Sequence, residues 1–388
     1  MKKGIATFTL DSGKCPKWLF ERMVKLGREM SRVLIEEFGP DEFIKRIGDP
    51  VWFQSLGTVL AFDWNASGLT TILTAALKES LRGREREWGV FICGGKGKTS
   101  LKTPDEIVSW GQRLQLPEDQ AQRLVYNSKM SAKVDSSLVQ DGFQLYHHCF
   151  FFSKNGAWTV VQQGMNKEQR TARRYHWHSE NVRDLIVEPH SGIASQSFNN
   201  QTLNMTAKIG QKNRDIAVEF MNSNSITVQK DIQILRKHSS KLSQMVSMKV
   251  NEDQLTLLNL ERTEFHAHPV VSENFFHSKY LERILLKLVS DKPGNYENLL
   301  ATRGVGPKTI RALSLVSEVI YGAPASYTDP ARYSFAHGGK DGTPYFVDRP
   351  TYDETIEILG NVVRKTSLNP TDKDKALQRL RGLKLSIL

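Results

Sequence analysis

The stretch ENLLATRGVGPKTIRALSLVSEVIYG, Glu297 to Gly322, leaves the chain few alternatives for its own fold. Asn295 to Thr302 reads as a short helix with Leu299 and Leu300 as its apolar pair. Arg303-Gly304-Val305-Gly306 makes a turn, and Pro307 falls where a first helical residue loses nothing by lacking an N–H. A second helix follows, with Ile310, Leu313, Val316 and Ile320 at helical spacing and Gly322 ending it. Val305 is expected to plug the turn into the core. A Gly-x-Gly turn that opens a helix points backbone N–H groups outward, where a phosphate can accept them. An ordinary corner between two helices would also use two glycines. The flanking leucines and the Pro-Lys-Thr that follows favour a hairpin that holds DNA, through Gly304, Val305, Gly306, Lys308 and Thr309.

A net charge of +11 on 388 residues shifts the odds toward a polyanionic partner. The length allows two or three domains. No run of roughly 18 apolar residues occurs, so no membrane partner is expected. The start MKKGIATFTLDSGK lacks an apolar core, which argues against secretion and for a cytoplasmic location. Three cysteines, Cys15, Cys93 and Cys149, are too scattered for a disulfide framework or a metal knot. With none after Cys149, a thiolate-held iron–sulfur cluster is excluded from the C-terminal part.

The patterning predicts a mixed α/β (α+β) chain. Helices are expected at Cys15 to Phe38, stopped by Gly39-Pro40, then at Pro50 to Phe62, Gly68 to Leu81, from Thr103, and from Pro117 to Leu138. Arg82 to Glu87 reads as a loop. Strands are expected at Glu87 to Cys93, Gln144 to Phe152 and Ala157 to Met165, the last two joined by a Lys154-Asn155-Gly156 turn. Ser191 to Asn204 reads as a polar loop, Lys208 to Glu261 as helical, and Asn274 to Ser290 as a long helix. Asp63 and Trp64 suit a helix cap, and His266-x-His268 lacks a third ligand. A domain with a small sheet flanked by helices (1–270) is thus expected before an all-helical domain (271–388).

Three polar motifs are candidates for chemistry. Gly94 to Lys98 (GGKGK) follows a strand and resembles a phosphate cradle, with Lys96, Lys98 and Lys102 as cations, although its spacing is not that of a nucleotide-binding P-loop. Arg173-Arg174-Tyr175-His176-Trp177 mixes phosphate binders with stacking rings, as suits nucleic acid with exposed bases. Asp135, Asp141, His147, His148, Gln162 and Gln163 cluster around the hairpin and are reminiscent of a metal-dependent nuclease core. Strand alternation sends His147 and His148 to opposite faces, and glutamine is a poor Mg²⁺ ligand.

Two resemblances follow from these residues. The stretches GVFICGGKGKTSLKTPDEI, VDSSLVQDGFQLYHHCFFF, WTVVQQGMN, RRYHW and SFAHGGKDGTPYFVD resemble, over nearly the full length, a domain-of-unknown-function family found mainly in archaea and thermophilic bacteria. Phe275 to Arg364 is similar to helix-hairpin-helix DNA glycosylases of the endonuclease III type. The family's Gly-Val-Gly-x-Lys-Thr pattern falls on Gly304 to Thr309, its Phe/Tyr-x-Ser-Lys helix start on Phe276 to Lys279, and its catalytic lysine on Lys308. Its catalytic aspartate has Asp329 as the nearest match, a few residues late, and its cysteine cluster is missing.

That resemblance implies a DNA repair enzyme acting on damaged or non-standard DNA. Lys308 would attack C1′ and form a Schiff base, Asp329 would assist, and no cofactor would be required. The alternatives are a nuclease, with a divalent metal among Asp135, Asp141, His147, His148 and Gln163, and a non-enzymatic DNA-binding module.

Overall fold

The computed structural model describes residues 8–10, 15–60, 66–196, 198–199, 202–224, 226–228, 230–231, 247–250, 253–256, 279–332 and 349–387. The mixed α/β expectation holds. A five-stranded, wholly antiparallel sheet has β1 (Val90–Lys96), β3 (Gln144–Ser153), β4 (Trp158–Asn166), β5 (Thr171–His178) and β6 (His190–Ser195) in that spatial order. The short strands β2 (Val139–Gln140) and β7 (Leu203–Asn204) pair separately, as do β8 (Ser247–Val250) and β9 (Asp253–Thr256).

Helices cover both faces of the sheet, so its strands carry apolar residues on both sides rather than on one. Phe91, Phe150, Phe152, Val160 and Trp177 point into a core shared with α5 (Thr103–Leu114), α6 (Glu118–Ser137), α7 (Gln211–Asn222), α8 (Lys279–Asp291), α9 (Tyr296–Ala301) and α10 (Pro307–Val319). Val90, Ile92, Cys149, Phe151 and Val161 point the other way. Their core is shared with α1 (Lys17–Gly48), α2 (Pro50–Val59), α3 (Ala66–Leu81), α11 (Arg349–Lys365) and α12 (Pro370–Ile387). The described residues after 278 therefore contribute to both helical layers. A small helix, α4 (Glu85–Trp88), completes the set.

Several local expectations change. Gly39, at φ 83°, kinks α1, and Pro40 then tolerates a fresh helical start, so the run continues to Gly48. Arg82 to Glu87 holds the short turn of α4. His190–Ser195, which takes in the start of the expected polar loop Ser191 to Asn204, is an edge strand, because the backbone of β5 offers it a ladder that weak intrinsic propensity does not forbid. The strands β8 and β9 interrupt the expected helical region 208–261. Asp63, Trp64, His266, His268, Phe276 and the SFAHGGKDGTPYFVD stretch lie outside the described residues.

Candidate functional site

The hairpin forms as its sequence dictates. Asn295 caps α9, its side chain accepting from the Asn298 N–H at 2.7 Å. Gly304 sits at φ 99°, and a Cβ there would lie 2.4 Å from Ile284 Cδ1, so both backbone and space demand glycine. Val305 is buried, while Arg303, Pro307 and Lys308 are exposed. Gly306, at the N-cap of α10, brings no side chain to the helix's first turn.

The other side of the hairpin is tied down by residues seven apart on α6 and just beyond it. Tyr126 Oη donates to Glu297 at 2.6 Å, Lys133 Nζ to the Thr302 carbonyl at 2.8 Å, and Gln140 Nε2 to the Pro307 carbonyl at 3.1 Å. Burial, then the neighbouring Lys287, pushes the Lys133 amine down to about 8. Lys133 had no motif to mark it. Its sequence signal was the seven-residue spacing from Tyr126 along α6.

Asp329 is engaged elsewhere. Both its oxygens accept from Arg173, at 2.9 and 2.7 Å, and it also accepts from the backbone N–H groups of Asn199 and Ala331. Arg173 in turn donates to Asp141 at 3.0 Å, and Tyr175 Oη donates to the same Asp141 oxygen at 2.6 Å. Burial opposes the guanidinium charge, but Asp141, Tyr175 and Asp329 together outweigh it and hold the Arg173 pKa up. Arg174 is equally buried, donating to Gln54, Thr70 and the Pro50 carbonyl with the rings of Phe53 and Phe8 against it. The expectation that Arg173 and Arg174 grip phosphate is thus corrected. β5 lies inside the sheet under helices on both sides, so its arginines are engaged internally, Arg173 by two carboxylates and Arg174 by neutral acceptors and ring faces.

The strand register draws the remaining motifs to one end of the sheet. Lys96, His147, Gln163 and Arg174 are successive cross-strand partners on β1, β3, β4 and β5, and Gly95, His148, Gln162 and Tyr175 form the next row. As alternation predicts, His148 and His147 face opposite layers. On the α6 side, Ser128 Oγ lies 2.8 Å from His148 Nε2, and His148 Nδ1 lies 2.8 Å from Gln162 Oε1. Gln162 Nε2 then donates to Asp135 at 2.5 Å, and Asp135 also holds Trp177 Nε1 and His190 Nε2.

On the α3 side, His147 Nε2 lies 3.2 Å from Thr74 Oγ1. Gln163 Nε2 donates to the Ser67 carbonyl at 3.0 Å and to the Tyr146 hydroxyl. Tyr146 is the extra residue of a bulge in β3, which turns its ring to the same side as His147. Burial, reinforced by His148 and Lys96, pushes His147 down to about 3, and burial likewise lowers His148.

The five residues of the nuclease alternative are therefore not brought into one site. Asp135 and His148 lie on one face, His147 and Gln163 on the other, and Asp141 belongs to the Arg173 cluster. Among the described residues, no group of three or more histidine, cysteine, aspartate and glutamate side chains is placed to hold a metal ion.

The glycine loop is also partly filled. Glu106 accepts from the Gly94 N–H at 2.8 Å and from Lys78 Nζ at 2.7 Å, so that N–H and that ammonium are already paired with a carboxylate. Lys96, Lys98 and Lys102 remain exposed. The polar stripe Ser67, Thr70, Thr71 and Thr74, at helical spacing on α3, is a sequence signal for the buried end of the sheet that motif reading passed over.

Fold and site define a helix–sheet–helix protein with a buried polar sheet end and an exposed glycine hairpin between two helices. Residues 4–347 match the model of DUF763, described as a protein of unknown function. The chain belongs to the DUF763 family. No curated protein and no solved structure matches it. Among the described residues, no helix is long and apolar enough to cross a membrane.

Proposed function

We propose that the protein holds DNA by its phosphate backbone on the hairpin Thr302 to Lys308. The observation that carries this reading is the hairpin's two-sided build. Val305 and the ties from α6 fix one side, while Arg303, Lys308 and the uncapped first turn of α10 face outward. Two cations beside unfilled helix N–H groups suit a phosphate and carry no base preference. Lys96, Lys98 and Lys102 add exposed positive charge elsewhere on the chain.

Fluorescence anisotropy on a labelled duplex over a salt series tests this. Wild-type affinity should fall steeply with salt. Replacing Arg303 and Lys308 together with alanine should weaken binding on every sequence and reduce the log–log salt slope by about 1–2. Affinity unchanged in the double variant would refute the hairpin as the contact.

The enzymatic form of the same reading is a glycosylase acting on damaged or non-standard DNA, with Lys308 as nucleophile. Its amine would attack C1′, the base would leave with the bonding electrons, and water would later release the lysine from the Schiff base. The engagement of Asp329 with Arg173 argues for another proton acceptor. Borohydride reduction of the protein on lesion-bearing duplex should trap a covalent adduct that disappears in Lys308→Ala. No adduct on any lesion would leave the binding reading alone standing.

A further inference from the structure

Three successive carbonyls of the hairpin turn are taken by donors from two different helices. Lys133 Nζ of α6 donates to the Thr302 carbonyl at 2.8 Å, and Lys287 Nζ of α8 to that of Arg303 at 3.4 Å. The Tyr280 hydroxyl, also on α8, donates to that of Gly304 at 2.8 Å. The turn thus gathers two ammonium groups from helices far apart in the chain. Among the described residues neither amine is paired with a carboxylate.

Two like charges on one turn repel, and the half-burial of Lys133 weakens the screening that water would give. Burial, then Lys287, brings the Lys133 amine down to about 8 for that reason. The other charged groups around the pair do not offset the repulsion. Glu297 is engaged by Tyr126 and Arg311 by Gln140, while Lys129, Arg283 and Arg303 are themselves cations. Asp291, one turn beyond Lys287 on α8, makes no ion pair with it. On the α8 side the pair borders solvent. Lys287 and Arg303 are exposed, and so is Arg283, one turn before Lys287, 5.4 Å from the centre of the Tyr280 ring. Amines held together with nothing negative between them are stabilised by an arriving anion. A backbone phosphate supplies that charge and has oxygens for both amines, whatever the base sequence.

We propose that Lys133 and Lys287 form a second phosphate site, receiving one DNA phosphate on the carbonyl side of the hairpin while Arg303, Lys308 and the first turn of α10 hold another. The proposal rests on the DNA reading and adds a signature to it. A phosphate beside Lys133 favours the ammonium form, so binding takes up a proton wherever the free amine is partly neutral. Affinity is then full below that range and falls as pH rises through it.

The test is calorimetry of duplex binding at pH about 8.5 in two buffers of different ionisation enthalpy, with anisotropy between pH about 7 and 9. A tenfold gain in the amine's proton affinity gives an uptake of about half a proton and an affinity loss of about fivefold over that range. Lys133→Arg, whose guanidinium stays charged throughout, should take up no proton and bind equally at both ends of the range. Lys287→Ala, at an exposed position, should shrink the uptake and reduce the log–log salt slope by about 1. Zero uptake in a wild type that binds duplex overturns the second site. So does an uptake as large in Lys133→Arg as in wild type, or a salt slope unchanged in Lys287→Ala. In each of these cases the Arg303 and Lys308 double variant still reports on the hairpin by itself. A wild type that binds no duplex overturns the DNA reading and this site with it.

Discussion

Removing Asp329 from the Arg173 cluster leaves the buried guanidinium with Asp141 alone and takes the acceptor from the backbone N–H groups of Asn199 and Ala331. Arg173 and Asp141 are wholly buried and Asp329 nearly so, so solvent screening gives no relief. Asp329→Ala is therefore expected to destabilise the fold by about 3–5 kcal/mol, read as a shift in the urea unfolding midpoint. Lys308→Ala, at an exposed position, should change stability by less than about 0.5 kcal/mol. If the Asp329 variant unfolds like wild type, the cluster is not the anchor described. The same contrast shows how far the residues could be read from sequence. Lys308 and Val305 were legible because their positions depend on a local turn. The surroundings of Arg173 and Asp329 depend on chain segments 156 residues apart, and no local pattern encodes that meeting.

At the scale of elements, the hairpin and the sheet end obey different rules. Gly304→Ala forces a Cβ onto Ile284 at a φ that side chains rarely adopt, which costs about 1–3 kcal/mol before any packing loss. Thermal unfolding should show that loss, and duplex affinity should fall with it if the hairpin is the contact. Affinity left intact in a folded Gly304→Ala protein would argue that this turn does not touch DNA. Helix and strand positions followed from periodicity in most of the chain. The exceptions are instructive. β6 borrows its ladder from β5, α1 resumes after its Gly39-Pro40 break, and the bulge at Tyr146 arises from pairing rather than from any glycine or turn signal. Each depends on a neighbour that sequence patterning does not display.

For the whole molecule, the buried histidines set the response to acid. Burial lowers His147, His148 and His176, with Arg174 adding to the effect on His176. In the unfolded chain these groups take up protons below pH about 6.5, while His147 in the folded chain does so only near 3. Unfolding therefore binds protons in that window, and stability falls as pH drops from about 6.5 toward 3. His147 alone accounts for about 2 kcal/mol between pH 6.5 and 5. Melting temperatures taken between pH 7.5 and 5 should decline steadily, and less so in His147→Gln. A flat profile would mean that these imidazoles are open to solvent. The three-layer arrangement makes this effect, because both faces of the sheet are covered and neither histidine of the adjacent pair reaches water.

By itself the sequence determined the helix–hairpin–helix, the strand pair around Asn155-Gly156, the opposite facing of His147 and His148, and a net charge of +11. Those features depend on residues a few positions apart, through turn chemistry, periodicity and net charge. Tertiary structure decided the rest. It set Lys96, His147, Gln163 and Arg174 side by side, divided the acidic and histidine cluster between two faces, and buried two arginines that read as surface cations. Register and layering create those neighbours across long stretches of chain. The hairpin's outward face was written locally, while the buried end of the sheet exists only once four strands have paired.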